Sequence, residues 1–163
     1  MTRVSSVPSL MAAVWAILLF SSPSAVVAQT GPFSDLEGAW SGAGQILTKA
    51  GEKERIRCRA TYTIGRNSSG LNQVLTCASD SYRFDLKTAI TASGNAFSGN
   101  WSETSRKLNG TMTGRVNGGK IDALVEANGF AGSLSVQTSG NRQTIAIRSE
   151  NADLHGVDIT LTR

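Results

Sequence analysis

The sequence predicts an all-β protein. An antiparallel up-and-down meander of eight to ten short strands closes into a small barrel and carries one cross-strand disulfide. Three observations support this. Apolar and polar residues alternate with period two through most of the chain after Leu36, the pattern of strands with one buried face. Glycine-containing turn pairs recur between the alternating runs, at Gly94-Asn95, Asn117-Gly118 and Gly140-Asn141. The only two cysteines, Cys58 and Cys77, sit symmetrically about a turn-rich segment, Gly65 to Gly70.

In chain order, residues 1–28 read as an export signal. Arg3 supplies the positive start, Leu10 to Phe20 the apolar run, and Val26-Val27-Ala28 a small-residue cleavage site. The run is about half of what a membrane-spanning helix needs. Cleavage there leaves residues 29–163 as a single domain with an expected periplasmic or secreted location. In that oxidising setting two cysteines are expected to pair. Without Arg3, the chain has a small excess of about three positive charges over its 12 Asp and Glu. With few aromatic residues and no basic run interleaved with them, nucleic acid is not an expected partner.

Gln29 to Leu36 is expected to be an extended lead-in, and Gly38 to Leu47 the first strand, with Trp40 and Ile46 on one face. The next two strands fold back about a centre between Asn67 and Ser68. That register sets Ile64 opposite Leu71, Tyr62 opposite Gln73, Ala60 opposite Leu75 and Cys58 opposite Cys77. Opposed residues in such a pair stand about 4.5–5.5 Å apart, within disulfide range. Arg55, Arg57, Arg59 and Thr61 fall on the other face, with Val74 the one apolar misfit. Tyr82 to Ala92 and Ala96 to Thr104 pair through Gly94-Asn95, with Ala92 opposite Phe97, Ile90 opposite Gly99 and Thr88 opposite Trp101. A one-residue slip would invert a whole face, so parity selects the two-residue turn. Taken as the turn pair, Asn117-Gly118 sets Val116 opposite Gly119, Gly114 opposite Ile121 and Met112 opposite Ala123. Gly140-Asn141 sets Val136 opposite Ile145 and Leu134 opposite Ile147. The last strand is expected at Val157 to Thr162, after a loop from Asn151 to Gly156 that holds His155. An open meander leaves two unpaired edges, and closing it into a barrel removes them.

Gly38-Ala39-Trp40 resembles the G-x-W signature that opens the first strand in the calycin superfamily. That group includes lipocalins, fatty-acid-binding proteins, avidins and a set of bacterial metalloprotease inhibitors. The resemblance implies that Trp40 packs across one end of the barrel. Phe97 to Trp101 and Leu108 to Thr111 look avidin-like, but no biotin-site residue can be placed on this chain. The exported inhibitors match the layout of signal, G-x-W and early disulfide, and they insert an N-terminal tail into a protease. Here the tail is Gln29 to Leu36, which departs from that pattern at Gly31-Pro32.

Candidate chemistry is sparse. His155 is the only histidine, and no G-x-S-x-G accompanies it. One histidine with two bonded cysteines makes no zinc set, so no metal or cofactor is expected. Glu103, Asp80 and Glu126 are the carboxylates available for acid–base work, and Asp80 falls opposite Arg55 as a surface charge pair. No catalytic residue is assigned, and the chain reads as a non-enzyme. Trp40, Tyr62, Gln73, Phe84 and Trp101 share the inner face and form the candidate pocket, with the interior either filled or open. Arg55, Arg57 and Arg59, with Arg66 in the adjoining turn, form a candidate face for an anion or partner protein. The alternative to that face is a set of charges guarding a sheet edge. An outer-membrane barrel would need aromatic girdles. Only Trp40, Trp101, Tyr62 and Tyr82 are available for them, so membrane insertion is not expected. The expectation is an exported, non-catalytic protein that holds a small apolar or amphipathic ligand. The alternative is a protein-binding module such as an inhibitor of an exported or host hydrolase.

Overall fold

A computed structural model describes residues 31–65, 67–149 and 154–163. The export segment, Arg66 and residues 150–153 lie outside the described residues. Ten strands follow a single 3₁₀ turn, Ser34–Leu36. They are β1 Gly38–Thr48, β2 Lys53–Ile64, β3 Gly70–Ala78, β4 Arg83–Ser93, β5 Ala96–Glu103, β6 Leu108–Asn117, β7 Lys120–Ala127, β8 Phe130–Ser139, β9 Arg142–Ser149 and β10 Leu154–Thr162. Each pairs antiparallel with the next, and β10 pairs with β1 from Ser41↔Thr162 to Thr48↔Leu154, closing the barrel. No described strand is an edge.

Local turn chemistry sets most registers as the parity argument requires. Cys58 opposes Cys77 and forms the disulfide, and Tyr62 opposes Gln73. With a sequence separation of 19, the cysteines stabilise the fold by roughly 3 kcal/mol in the chain-entropy model. Ala92↔Phe97 and Val136↔Ile145 also form. Gly94 and Gly140 take φ +62° and +54° at the first central position of their turns, where L-residues are disfavoured.

Two expectations are corrected. The β6–β7 turn is Gly118-Gly119, at φ +55° and +78°, so Val116 opposes Ile121, Gly114 opposes Ala123 and Met112 opposes Val125. Two glycines meet the double positive-φ requirement more cheaply than Asn-Gly, and the two-residue shift pairs Val116 with Ile121 while preserving each face. The last strand begins at Leu154, three residues earlier than expected, with a register shift opposite Leu47/Thr48. His155 therefore lies on the strand, exposed.

The inner face holds the core, and the outer face carries Arg, Lys, Thr, Asn and Gln. This is the inverse of the outward apolar band of a membrane barrel. No described helix is long and apolar enough to cross a membrane.

The lead-in differs from the expected extended segment. Phe33 is fully buried and Leu36 nearly so, the Phe33 ring meeting Phe97 edge-on at 6.0 Å. The Trp40 indole N–H donates to the Leu36 carbonyl at 2.7 Å, which ties the 3₁₀ turn to β1. The Arg163 guanidinium lies 4.7 Å over the Trp40 ring and donates to the Glu37 carbonyl. The chain thus plugs one end of its own barrel, with Trp40 across that end as the G-x-W resemblance implies.

Candidate binding site

Strand tilt decides which inward residues meet. The row of register partners from Tyr62 through Gln73, Thr88, Trp101, Gly110 and Ala127 reaches Phe130. It starts at the plugged end of β2 and finishes at the opposite end of β8. Perpendicular to tilted strands, such a row climbs the barrel axis. The five candidate pocket residues all face inward, but they fall into separate levels. Trp40 belongs to the plug, Tyr62 and Gln73 to a buried polar cluster, and Phe84 and Trp101 to the far end.

The polar cluster is satisfied. The Tyr62 hydroxyl donates to Gln143 Oε1 at 2.7 Å and accepts from Gln73 Nε2 at 3.3 Å, while Gln143 Nε2 donates to Thr138 Oγ1 at 3.1 Å. Gln143 is completely buried. Sequence reasoning missed it because its Tyr62 partner lies 81 residues away, and its inward parity in β9 opposite Thr138 was the available signal. Burial pushes the Tyr62 phenol up to about 12, against the opposing hydrogen bonds from Gln73 and Gln143. A phenol that stays protonated in the folded state stabilises the protein fully below its unfolded value of about 10. That contribution is lost as pH rises through the folded value. Alkaline titration followed by thermal melting should show stability falling between about pH 10 and about 12. Tyr62→Phe should flatten that fall while costing about 1–3 kcal/mol at neutral pH, because Gln143 Oε1 loses its donor. An unchanged alkaline slope in the variant would count against the assignment.

The far end is not plugged by the described chain. Inward-facing Phe84, Leu86, Val125, Ala127, Phe130, Leu134, Ile147 and Val157 remain only half-buried. Their counterparts at the plugged end, such as Leu71, Ile90, Phe97, Val116 and Leu161, are sealed. At the rim Tyr82 stacks on Phe84 at 6.2 Å, and Trp101 meets Phe130 edge-on at 6.2 Å. The Arg106 guanidinium lies 4.6 Å over Phe84. The Trp101 N–H donates to the Thr111 carbonyl, which fixes the indole against Gly110.

Glu103 builds this rim. Its carboxylate accepts from the backbone N–H groups of Asp85 (2.9 Å), Ser105 (3.2 Å) and Arg106 (2.6 Å), and from the Ser105 hydroxyl. Burial pushes its pKa up, but these hydrogen bonds outweigh burial and hold it below the ordinary carboxylate value. The β5–β6 turn is thereby strapped to β4, with Ser105 and Arg106 also donating to the Arg83 carbonyl. Glu126 faces outward and Asp80 is exposed beyond β3, so the three candidate carboxylates do not converge. The expected Arg55–Asp80 pair does not form among the described residues; Glu54 accepts from the Ser81 N–H instead.

Arg55, Arg57 and Arg59 project from the outer face, exposed, and Lys53 extends the ladder by one outward position. Arg57 and Arg59 are paired on both sides, so these two do not guard a sheet edge, whereas Arg55 and Lys53 extend past the last β3 pair, Arg57↔Ala78, with β1 alone beside them.

The chain is similar in fold to two solved structures. Rv2717c from M. tuberculosis superposes with a TM-score of 0.65 at 12% identity, covering 80% of this chain and 94% of that one. The S-type phycobiliprotein lyase CPES from Guillardia theta superposes with a TM-score of 0.59 at 9% identity, covering 80% and 89%. The fold is shared. Identities this low carry the architecture alone. Neither a protein-family model nor the sequence of a curated protein matches the chain.

Proposed function

We propose that this is an exported, non-catalytic barrel protein that takes a small apolar or amphipathic ligand through its unplugged end. One observation carries the reading: inward residues at the plugged end are sealed, whereas Phe84, Leu86, Val125, Ala127, Phe130, Leu134, Ile147 and Val157 toward the other end of β4 and β7 to β10 are left half-buried, although Ile46, Ile56 and Cys77 on β1 to β3 stay buried. Binding sites for small molecules are concave and mostly apolar, with a few placed polar groups. Here Phe84, Trp101 and Phe130 supply the apolar wall. Arg106 supplies a cation at the rim, suited to an acidic head group on an amphipathic chain. The disulfide suits an oxidising compartment. The inhibitor alternative needs a projecting tail, whereas Phe33 and Leu36 are buried in the barrel.

Long-chain fatty acids and anilinonaphthalene sulfonate serve as probes, read by tryptophan fluorescence. Bound probe should quench Trp101 at the mouth and leave Trp40 at the plug unaffected. Trp101→Phe should therefore remove most of the signal change, and Trp40→Phe should preserve it. Phe130→Asp should weaken binding at least about tenfold, since a charge would have to be desolvated on entry. Absence of saturable binding, or binding indifferent to Phe130→Asp, would sink the proposal.

A further inference from the structure

A concavity of about 360 Å³ lies on the outside of the barrel, across β8, β9, β10 and β1. It is separate from the mouth, because eight of its lining residues have outward parity, and Gly44, Ile145 and Ile159 lie between them on the same strands. Two rows of register partners form its floor. One runs Gln137, Thr144, Thr160, Ala43, and the other Ser135, Ala146, Asp158, Gln45. Alanines at Ala43 and Ala146 make the dip, and amides and hydroxyls surround it. Continuing across β1 onto β2, the first row ends at Arg57 and the second at Arg55.

The charges around the dish are unequal. Asp158 is ion-paired with Arg148 at 2.6 Å, and on the β7 side Lys120 is paired with Asp122 at 3.0 Å. Arg55 and Arg57 have no ion-pair partner among the described residues, and their register partners are neutral: Gln45 for Arg55, and Ala43 and Ala78 for Arg57. Arg57 is paired on both sides, which removes edge protection as its reason. Two uncompensated guanidiniums therefore stand at one border of a polar, neutralised dish. At about 4.8 Å per strand, the four strands of the floor span roughly 14 Å, the length of two to three sugar rings.

We infer that the dish and its arginine border form a second binding site, for an acidic oligosaccharide. Gln45, Gln137, Thr144 and Thr160 offer donors and acceptors to ring hydroxyls. Arg55 and Arg57 meet the carboxylate or sulfate with paired N–H groups, a geometry lysine does not offer. A bare anionic surface would use the charges but not the dish, and the polar floor favours the saccharide.

The test is titration of the purified protein with short oligogalacturonates, followed by calorimetry. Neutral malto-oligosaccharides and phosphatidylglycerol vesicles serve as comparisons. Saturable binding of the acidic oligosaccharide is expected, at least about tenfold weaker in Arg55→Gln/Arg57→Gln. Thr144→Trp, at an exposed strand position, should fill the dish and block binding. Gln137→Trp serves the same purpose if that variant does not fold. Trp101→Phe should have no effect. Failure to bind the oligosaccharide, binding that ignores both dish-filling variants, or retention on vesicles alone would each overturn the assignment, the last in favour of a membrane surface.

Discussion

Phe33→Ala is expected to cost about 3–5 kcal/mol, the largest loss from any single side-chain truncation in the plug. The ring is completely buried, meets Phe97 edge-on, and sits in the segment that covers the end of the barrel. The chain relaxes only partly around such a vacancy, so the lost transfer energy adds to the cost of the cavity. The plug hangs from the Leu36 carbonyl bonded to Trp40, and Asp35 lies against the β6–β7 turn at Gly119. Loosening Phe33 should therefore expose the plugged end. Chemical denaturation gives the free-energy change, and acrylamide quenching of Trp40, measured in Trp101→Phe, reports the exposure. A cost below about 1 kcal/mol with Trp40 still shielded would mean that residues 33–36 merely rest on a barrel closed without them.

Gly110→Ala should be nearly as damaging, although it adds a single methyl group. A Cβ at Gly110 would run into the backbone carbonyl oxygen of Glu126 on β7 and stand 2.6 Å from Nε1 of Trp101. Gly114 is similar, its missing Cβ leaving room for the Phe97 ring at 2.7 Å. In each cross-strand pair an aromatic side chain on β5 lies over a glycine on β6, the device that lets a sheet bend sharply while keeping its inner surface covered. At Gly110 the obstruction is backbone, which cannot swing aside as a side chain tip can. The strand itself must move, at an expected cost of roughly 3 kcal/mol or a melting point lower by about 10 °C. Because the same shift displaces Trp101, any ligand bound at the mouth should weaken with it. A melting temperature within a degree of the parent would mean that β6 and β7 have more freedom than their close approach implies.

Much of the architecture was legible because a hairpin is a local object. Cys58 to Cys77, Ala92 to Phe97 and Val136 to Ile145 are each set by a turn and a parity that a short stretch contains. The β6–β7 register was misread by two residues because Asn117-Gly118 and Gly118-Gly119 are both acceptable turns with the same parity. The choice lies in the Val116–Ile121 contact and in the close approach of Gly119 to β8, where an added Cβ would stand 2.6 Å from the Thr138 carbonyl oxygen. The start of β10 was misplaced because its partner is β1, more than a hundred residues away.

The site was less legible than the fold. Parity put Trp40, Tyr62, Gln73, Phe84 and Trp101 on the inner face, but parity does not specify height along a tilted barrel. Gln143 and Phe130 were overlooked because neither carries a motif, and burial and neighbours alone give them roles. The arginine ladder was visible as a stripe, but its function could not be separated from edge protection until Arg57 and Arg59 proved to be paired on both sides.

By itself, then, the sequence determined the strands, their faces, the disulfide and most of the turns, since alternation, glycine and cysteine act over a few residues. Only the tertiary structure decided that the lead-in folds back as a plug, that the described residues leave the other end uncovered, and that two arginines border a polar dish. Those outcomes depend on closure and tilt, which bring together residues whose separation along the chain carries no local signal.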